Sequence, residues 1–377
     1  MTIYYLRAER PGVHLLRSAR RFGAMAALAL LAWAPAHADD RTATPAPLAD
    51  HHMHIQSKLI SDWLREMQKA MPTAFDGMSD DLFAERSGAD AVHELDRAGI
   101  RQGVILSMGY MFGFPAIPLT PEDMAQRMRA ENRVNVDAAL ASHGRLVAFV
   151  GINPFQTNAI DELDYWSRQA GASGVKLHLG NSGFDAGNAE QVGQLAAFFA
   201  AANKARMPLV VHLRGAAPFT VANVSTFIDN VLSQAGDLPV QIAHGGGYGG
   251  IDQPTLDALS AYGDAIARKA PGTANLVFDR SAVMLFDPAH APQPKDPADK
   301  RSLQEMRAAY VGAMRKIGLD RFVLASDWPA IHPPAEYFAA ERAALPVTDA
   351  EWRQLCANLA PYLRSDWRPY MARFQRK

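Results

Sequence analysis

Two patterns of apolar residues alternate along the chain. Short, almost continuously apolar runs recur, and each is followed by a stretch with apolar residues three and four positions apart, such as QVGQLAAFFAAANKA (191–205). The first pattern is typical of a strand buried on both faces, and the second of an amphipathic helix. The predicted strands are ADHHMHI (49–55), GVILSM (103–108), LVAFVGI (146–152), GVKLHL (174–179), PLVVHL (208–213), VQIAH (240–244), NLVFD (275–279) and RFVLASD (321–327). Eight such units predict an α/β fold in which parallel strands close into a (β/α)8 barrel, rather than an open doubly wound sheet.

Two connections of this barrel are longer than the fold requires. They cover residues 109–123 after the second strand and 281–300 after the seventh, and both are rich in proline. Loops that follow the strands of a barrel line its active face, so both are candidate walls of a substrate pocket. The last apolar stretch, DAEWRQLCANLAPYL (349–363), is predicted to be a terminal helix packed on the outside.

The first 38 residues depart from the strand and helix pattern. Arg17, Arg20 and Arg21 lie just before the apolar run GAMAALALLAWA, and AHA follows it at 36–38. A basic segment, a short apolar run and an A-x-A site are typical of a secretory signal peptide, and the run is too short to span a bilayer. We therefore expect cleavage after Ala38, a single barrel domain over 39–377, and a periplasmic or secreted protein without a membrane anchor. Sec and twin-arginine export both remain open.

Composition excludes some classes of function. The 377 residues carry a net charge of −1, and removal of the leader, with its five arginines and one glutamate, changes this to −5. Such a charge does not suit a nucleic-acid groove, so the expected partner is a small molecule. Cys356 is the only cysteine, so the exported protein has no internal disulfide and its core must supply the stability.

The stretch LADHHMHIQS (48–57) holds the first candidate chemistry. His52 and His54 are two positions apart on a strand, so their side chains share one face, whereas His51 is predicted to face the other way. Two imidazoles at the end of a barrel strand can reach one ion. Alone, an H-x-H motif is weak evidence, because a histidine in a strand is often only a hydrogen-bonded core residue.

Other polar residues fall at the ends of later strands. His178, His212 and His244 lie at or near the ends of the fourth, fifth and sixth strands, and Asp327 ends the eighth. Because these ends converge on one pocket, the residues are expected to meet there. Imidazoles and a carboxylate suit Zn²⁺, Mn²⁺ or Fe²⁺. The predicted ligands of one divalent metal ion, with Zn²⁺ preferred, are His52, His54, His212 and Asp327.

Two residues of this set are candidate catalytic residues. Asp327 can take a proton from a water molecule activated by the metal. His244 can polarise a substrate carbonyl or stabilise the oxyanion that develops from it.

These motifs, in this order, resemble a known family. The H-x-H of the first strand, VVH of the fifth, AHGG of the sixth and SDWP of the eighth are similar to the amidohydrolase superfamily. They are most similar to its amidohydrolase-related branch, which contains aminocarboxymuconate-semialdehyde decarboxylase, aromatic-acid decarboxylases and several lactone and amide hydrolases. The resemblance covers residues 48–363. It implies a distorted (β/α)8 TIM barrel, one divalent metal ion held by the four ligands above with His244 beside it, and a homodimer.

Four further residues are predicted to contact the substrate or to support the ligands. Lys176 could alternatively be a carbamylated lysine that bridges two metal ions. His178 could instead line the pocket wall, hold Lys176 in place or be purely structural. Arg214 could clamp a substrate carboxylate or pair with Asp279 or another acid of the rim. Asp279 could orient a ligand histidine.

Three functions remain as hypotheses. The first is hydrolysis of an ester, lactone or amide by a metal-activated water. The second is non-oxidative decarboxylation of an aromatic or unsaturated carboxylic acid, in which the metal holds the substrate. The third is a barrel that binds a metal or ligand without catalysis. Export favours the first, because the acids that related decarboxylases consume are intracellular intermediates, and the family resemblance does not decide the reaction.

Overall fold

The computed structural model describes residues 45–75, 79–114, 116–214, 219–247, 250–283, 300–364 and 367. The predicted signal peptide and most of the loop at 281–300 lie outside these residues. Within them, no helix is long and apolar enough to cross a membrane.

Eight parallel strands form one sheet in which each strand pairs with the next along the chain. They are β1 (Ala49–Met53), β2 (Gln102–Leu106), β3 (Leu146–Gly151), β4 (Ala172–His178), β5 (Leu209–His212), β6 (Val240–Ile242), β7 (Leu276–Asp279) and β8 (Phe322–Val323). This confirms the predicted strands and the (β/α)8 TIM barrel. The eighth strand is regular for only two residues, against seven predicted.

Helices surround the sheet and alternate with its strands. They are α1 (Lys58–Ala70), α2 (Gly88–Arg97), α3 (Pro121–Ala141), α4 (Ala159–Ser167), α5 (Ala189–Ala205), α6 (Val221–Thr226), α7 (Gln253–Ala267), α8 (Leu303–Ile317), α9 (Pro334–Ala344) and α10 (Asp349–Ala357). Polar side chains fix where several begin. Ser57 accepts a hydrogen bond from the amide of Ile60 at the start of α1, and Ser302 and Glu305 form a capping box on α8.

The barrel is closed by hydrogen bonds between β1 and the segment that follows β8. The amides of His51, His54 and Asp327 donate to the carbonyls of Leu324 (3.1 Å), Trp328 (2.7 Å) and His52 (2.8 Å) respectively. This seam joins the first strand to the last. It also brings the H-x-H motif alongside the SDWP motif.

An extra residue in β1 changes which side chains face inward. Asp50 pairs with Gly103 and Met53 with Ile105, so three steps along β1 match two along β2. Strict alternation would place Ala49 and Met53 on one face, but Ala49 lies in the interior cluster and Met53 in the core beneath the helices. Such β-bulges re-aim side chains and are common beside active sites.

His51 shows the effect of this bulge. Its Nε2 accepts a hydrogen bond from the amide of Ala360, a member of the interior cluster, and its Nδ1 donates to the carbonyl of Leu324. The prediction that His51 faces away from the interior is therefore wrong, because the strict alternation on which it rested does not hold in β1.

One apolar cluster fills part of the barrel interior. Its buried members come from six strands and from the C-terminal segment: Ala49, Val104, Leu106, Phe149, Val210, Val277, Val323, Ala360, Tyr362 and Leu363. Residues from strands around the whole ring can share one cluster only inside it. A separate, larger cluster packs the outer faces of the strands against the helices.

The C-terminal segment supplies part of this interior cluster. The side chain of Asn358 donates to the carbonyls of Leu319 (2.7 Å) and Phe322 (2.8 Å), where β8 begins. Residues 359–363, which we call the C-terminal plug, then enter the barrel from that end. The predicted terminal helix is confirmed over α10. It is wrong for the plug, because Pro361 cannot continue an α-helix and begins a 3₁₀ turn instead.

Candidate metal centre

Three ligand atoms converge at the β1/β8 seam. The Nε2 atoms of His52 and His54 lie 3.2 Å apart, and each lies 3.3 Å from Oδ1 of Asp327. All three residues are buried, and they form one of the groups that could hold a metal ion. A tetrahedral ion with bonds of about 2.0–2.1 Å keeps its ligand atoms about 3.3 Å apart. The spacing and chemistry of these donors therefore fit a divalent metal ion.

Hydrogen bonds fix the tautomers of both histidines. His52 Nδ1 donates to Oδ2 of Asp279 (3.0 Å), and His54 Nδ1 donates to the carbonyl of Leu106 (2.6 Å). With each proton held on Nδ1, each Nε2 keeps a lone pair directed at the shared point. This is the arrangement in which protein groups usually prepare histidine ligands.

Hydrogen bonds also fix the tautomers of His244 and His212. His244 Nδ1 lies 3.0 Å from the carbonyl of Ser281, so it must donate, and its Nε2 then accepts from Nδ1 of His212 at 3.0 Å. His212 consequently also carries its lone pair on Nε2. The structure thus places His212 in contact with His244, whose ring centroid lies 5.0 Å from that of His52, and the role of His212 as fourth ligand stays a prediction.

Asp327 and His244 share an unusual backbone conformation. Their φ angles are +62° and +56°, in the left-handed region that side chains other than glycine rarely adopt. His244 lies beyond the end of β6 in the tight turn Ala243–Gly246, where Gly245 and Gly246 also have positive φ. Strained positions of this kind cluster at active sites. The glycines of the AHGG motif therefore serve the turn that presents His244.

Asp279, at the end of β7, ties the site together. Its Oδ1 accepts from the backbone amide of His244 (3.0 Å) and from the hydroxyl of Ser281 (2.5 Å), while its Oδ2 accepts from His52. This is the orienting contact predicted for Asp279. Ser281 was missed by the sequence reasoning. Its Oγ also lies 3.1 Å from Nδ1 of His52 and 3.0 Å from Nδ1 of His244, but no motif marks it.

Burial and charge set the protonation of the group. Burial alone would raise the pKa of Asp327, but the neighbouring His52, His54 and His244 hold it well below its usual range. Burial and the nearby Lys176 lower the pKa of His52 to about 3, and burial lowers that of His244. These directions favour an ionised carboxylate on Asp327 and neutral imidazoles on His52 and His244, the forms in which such side chains bind a metal.

Lys176 and His178 come to the centre from β4. Nζ of Lys176 lies 3.3 Å from Nε2 of His52, and burial lowers the pKa of this lysine to about 8. The ring of His178 stacks on that of His212 with centroids 3.9 Å apart. Nδ1 of His178 accepts from the amide of Asn181 at 3.2 Å. Lys176 thus contacts His52, and His178 packs against His212.

Arg214 is engaged by an acid other than Asp279. Its guanidinium binds both carboxylate oxygens of Asp252 at 2.8 Å, and it also reaches Oγ1 of Thr255 at 3.3 Å. Bidentate pairs of this kind are geometrically specific. Whether Arg214 also meets a substrate stays a prediction.

Most of the chain matches the model of a known protein family. Residues 49–358 match the model of a family described as Amidohydrolase. The chain belongs to the amidohydrolase family. No curated protein matches it. Family membership and the donor group together indicate that this amidohydrolase is a metal-dependent enzyme, a hydrolase or a decarboxylase, which argues against the non-catalytic barrel.

Solved structures with the same fold are distant in sequence. A 5-carboxyvanillate decarboxylase from Sphingomonas paucimobilis has 13% identity and a TM-score of 0.56, with 88% of this chain and 99% of that one covered. A probable 2-pyrone-4,6-dicarboxylic acid hydrolase from Acinetobacter baumannii has 15% identity and a TM-score of 0.51, with 86% and 99% covered. A 5-carboxyvanillate decarboxylase from Novosphingobium aromaticivorans, complexed with manganese, has 13% identity and a TM-score of 0.53, with 87% and 96% covered. These likenesses show the fold of the amidohydrolase.

Proposed function

We propose that this amidohydrolase hydrolyses an ester, lactone or amide with water activated by one divalent metal ion. The observation that carries the proposal is the carboxylate of Asp327, whose Oδ1 lies 3.3 Å from the Nε2 atoms of His52 and His54. The ion would take up the Nε2 lone pairs of its histidine ligands, and Nε2 of His244 already accepts from His212, so Oδ2 of Asp327 is the proton acceptor beside the ion. Hydrolysis needs such an acceptor for a proton of the attacking water. Decarboxylation instead needs a donor that protonates carbon.

The proposed ligands of the ion are His52, His54, His212 and Asp327. When bound, the ion would act as a Lewis acid and lower the pKa of a coordinated water. Zn²⁺ suits the donor spacing, with Mn²⁺ and Fe²⁺ as alternatives that the same ligands accept. Mn²⁺ is supported by its presence in the Novosphingobium decarboxylase.

Two residues are proposed to move the protons. Oδ2 of Asp327 belongs to an ionised carboxylate whose Oδ1 faces the ligand histidines, so this residue takes the first proton. Nε2 of His244 accepts a hydrogen bond in the structure, so His244 must first gain a proton before it can donate to a carbonyl oxygen or a leaving group. Its role is then that of an acid formed during the reaction.

Decarboxylation of an aromatic or unsaturated acid is the second candidate. Two of the three similar structures described above are named decarboxylases. The buried ammonium group of Lys176, 3.3 Å from Nε2 of His52, could serve as the proton donor that this reaction needs. In that case the metal would hold the carboxylate and Lys176 would protonate the carbon.

A substrate panel separates the two reactions. The metal-loaded enzyme would be incubated with esters, lactones and amides, and separately with aromatic acids under detection of carbon dioxide. Hydrolysis is expected, with loss of activity in Asp327→Asn. Carbon dioxide release without ester, lactone or amide cleavage, abolished by Lys176→Met, would establish the second reaction and refute the first.

We also propose that the enzyme is exported. Residues 1–38 have the composition of a signal peptide, so the mature enzyme would act in the periplasm or outside the cell. N-terminal sequencing of the protein recovered from the periplasm and medium of an expressing bacterium would be expected to begin at Asp39. A cytoplasmic protein that retains Met1 would contradict this. A homodimer is proposed from the family resemblance and is checked by light scattering.

A further inference from the structure

The C-terminal plug is connected to the candidate metal centre by a chain of hydrogen bonds. The hydroxyl of Tyr362 donates to Oε1 of Gln241 at 2.5 Å. Nε2 of Gln241 donates to Oδ2 of Asp279 at 2.8 Å and to the carbonyl of His51 at 3.1 Å. The same Oδ2 accepts from Nδ1 of His52. Four side chains thus run from the C-terminal plug to His52, a proposed ligand, and all are buried.

The hydrogen-bond partners of Gln241 allow its side-chain amide only one orientation. The carboxylate of Asp279 and the carbonyl of His51 can only accept, so the amide of Gln241 must turn its nitrogen toward both. Its oxygen then faces Tyr362, whose hydroxyl has to donate. If the amide were reversed, its oxygen would stand against an ionised carboxylate. The hydroxyl of Tyr362 therefore adds a third hydrogen bond that favours the orientation in which Gln241 supports Asp279.

We infer that Tyr362 is a positioning residue of the metal centre: through Gln241 it fixes the Asp279 carboxylate that orients His52. This inference rests on the proposed metal site. Burial of the plug supports it, because Tyr362 is 4% exposed and its ring packs against that of Phe149 with centroids 4.9 Å apart. A hydroxyl held this firmly defines the position of its acceptor.

The test compares metal affinities, which need no substrate. The full-length metal-free protein would be titrated with Zn²⁺ and with Mn²⁺ in competition with a chromophoric chelator. Tyr362→Phe removes one hydrogen bond to the amide, so we expect affinity to fall about threefold to tenfold. The matched control is Tyr262→Phe, which removes another fully buried hydroxyl, one with no hydrogen-bond partner among the described residues. That control should keep the wild-type affinity.

A second variant distinguishes positioning from packing. Gln241→Met keeps the length of the side chain but cannot make any of the three hydrogen bonds of Gln241, and should lower affinity by about tenfold or more. If Tyr362 acts through Gln241, adding Tyr362→Phe to Gln241→Met should cause no further loss. An equal loss in both backgrounds would show that the tyrosine acts by packing and would overturn the inference. So would an unchanged affinity in Tyr362→Phe.

The proposed function can fail separately from this inference. An enzyme that binds Zn²⁺ or Mn²⁺ with the expected dependence on Tyr362, but releases carbon dioxide from acids, keeps the positioning role and loses hydrolysis. If all variants hydrolyse the substrate and keep the wild-type metal affinity, the proposed function stands and the positioning role of Tyr362 is overturned. Thermal melting of each metal-free variant shows whether it remains folded. If Tyr362→Phe unfolds, the inference is tested by comparing the metal affinity of Gln241→Met with that of Gln241→Met/Tyr362→Phe.

Discussion

The backbone amide of Asp327 donates a 2.8 Å hydrogen bond to the backbone carbonyl of His52. These two proposed ligands come from opposite ends of the barrel sequence, and this bond holds them in register before any ion is present. The side-chain distance of 3.3 Å between them is therefore a property of the closed barrel. A preformed site of this kind should bind metal without a large rearrangement.

Metal content is the first prediction. His52→Ala with His54→Ala removes two of the three converging donors, so the purified variant should contain less than about a tenth of the metal of the wild type after dialysis. Elemental analysis is the measurement, and wild-type protein should hold about one equivalent. His93→Ala, on an exposed face of α2, is the control and should keep its metal. Retention of a full equivalent by the double variant would place the ion elsewhere.

His244 should matter for turnover more than for metal. His52, His244 and Asp279 form a second group that could hold a metal ion, but Nδ1 of His244 donates to the carbonyl of Ser281 and its Nε2 contacts His212, so both nitrogens are engaged. His244→Asn should therefore lower kcat about 10²-fold to 10⁴-fold while metal content stays near the wild-type level. Steady-state kinetics and elemental analysis on one preparation test this. Loss of the ion together with activity would make His244 a ligand.

Ser281 and Asp279 should differ in importance. In Ser281→Ala the carbonyl of residue 281 still accepts from His244 Nδ1, and Asp279 still accepts from two backbone amides and from Gln241, so metal affinity should fall only about twofold to tenfold. Asp279→Asn removes the acceptor of His52 and should cost about 10-fold to 100-fold. Competition with a chelator measures both. A larger loss in Ser281→Ala than in Asp279→Asn would contradict the hydrogen-bond pattern described above.

Glu131 gives a prediction for pH. It lies buried on α3, accepts from the hydroxyl of Ser57 and from Nδ2 of Asn135, and burial raises its pKa to about 7. Because the folded state binds this proton more tightly than the unfolded state, stability falls as pH rises from about 4.5 to about 7. Glu131→Gln imitates the protonated acid. It should match the wild type near pH 4.5 and exceed it by about 3 kcal/mol above pH 7.5.

Urea unfolding of both proteins across this pH range measures the effect. Glu341→Gln is not a suitable control, because Glu341 pairs with the buried Arg280. Glu122→Gln, at an exposed position of the same helix, is a better one and should leave the pH dependence unchanged. Parallel curves for wild type and Glu131→Gln would show that Glu131 ionises without cost.

Sequence patterns were sufficient for the architecture. The apolar runs located every strand, and the placement of His52, His54 and Asp327 at strand ends brought them together as expected. Periodicity reports burial on both faces of a strand, which is what a parallel barrel requires. Periodicity cannot reveal a one-residue bulge, so the predicted orientation of the His51 side chain is wrong.

Other features depend on contacts distant in sequence. Nothing local in APYL indicates that Tyr362 would enter the barrel and meet Gln241, because both residues fit ordinary surface or core positions. Ser281 follows Asp279 by two residues, in a stretch that the sequence predicts to be a loop. A polar residue next to a candidate acid at a strand end is the signal that could have found it.

The seam between β1 and β8 has a consequence for folding. A ring of strands is complete only when its first and last members meet, and here that meeting place is where the ion would bind. Metal affinity should therefore appear late in folding, after the most distant pairing along the sequence has formed. Once bound, the ion would link the first strand to the segment that follows the last, so opening the barrel at that seam would require its release. At a free ion concentration a hundred times the dissociation constant, binding would add about 2.7 kcal/mol to the free energy of unfolding.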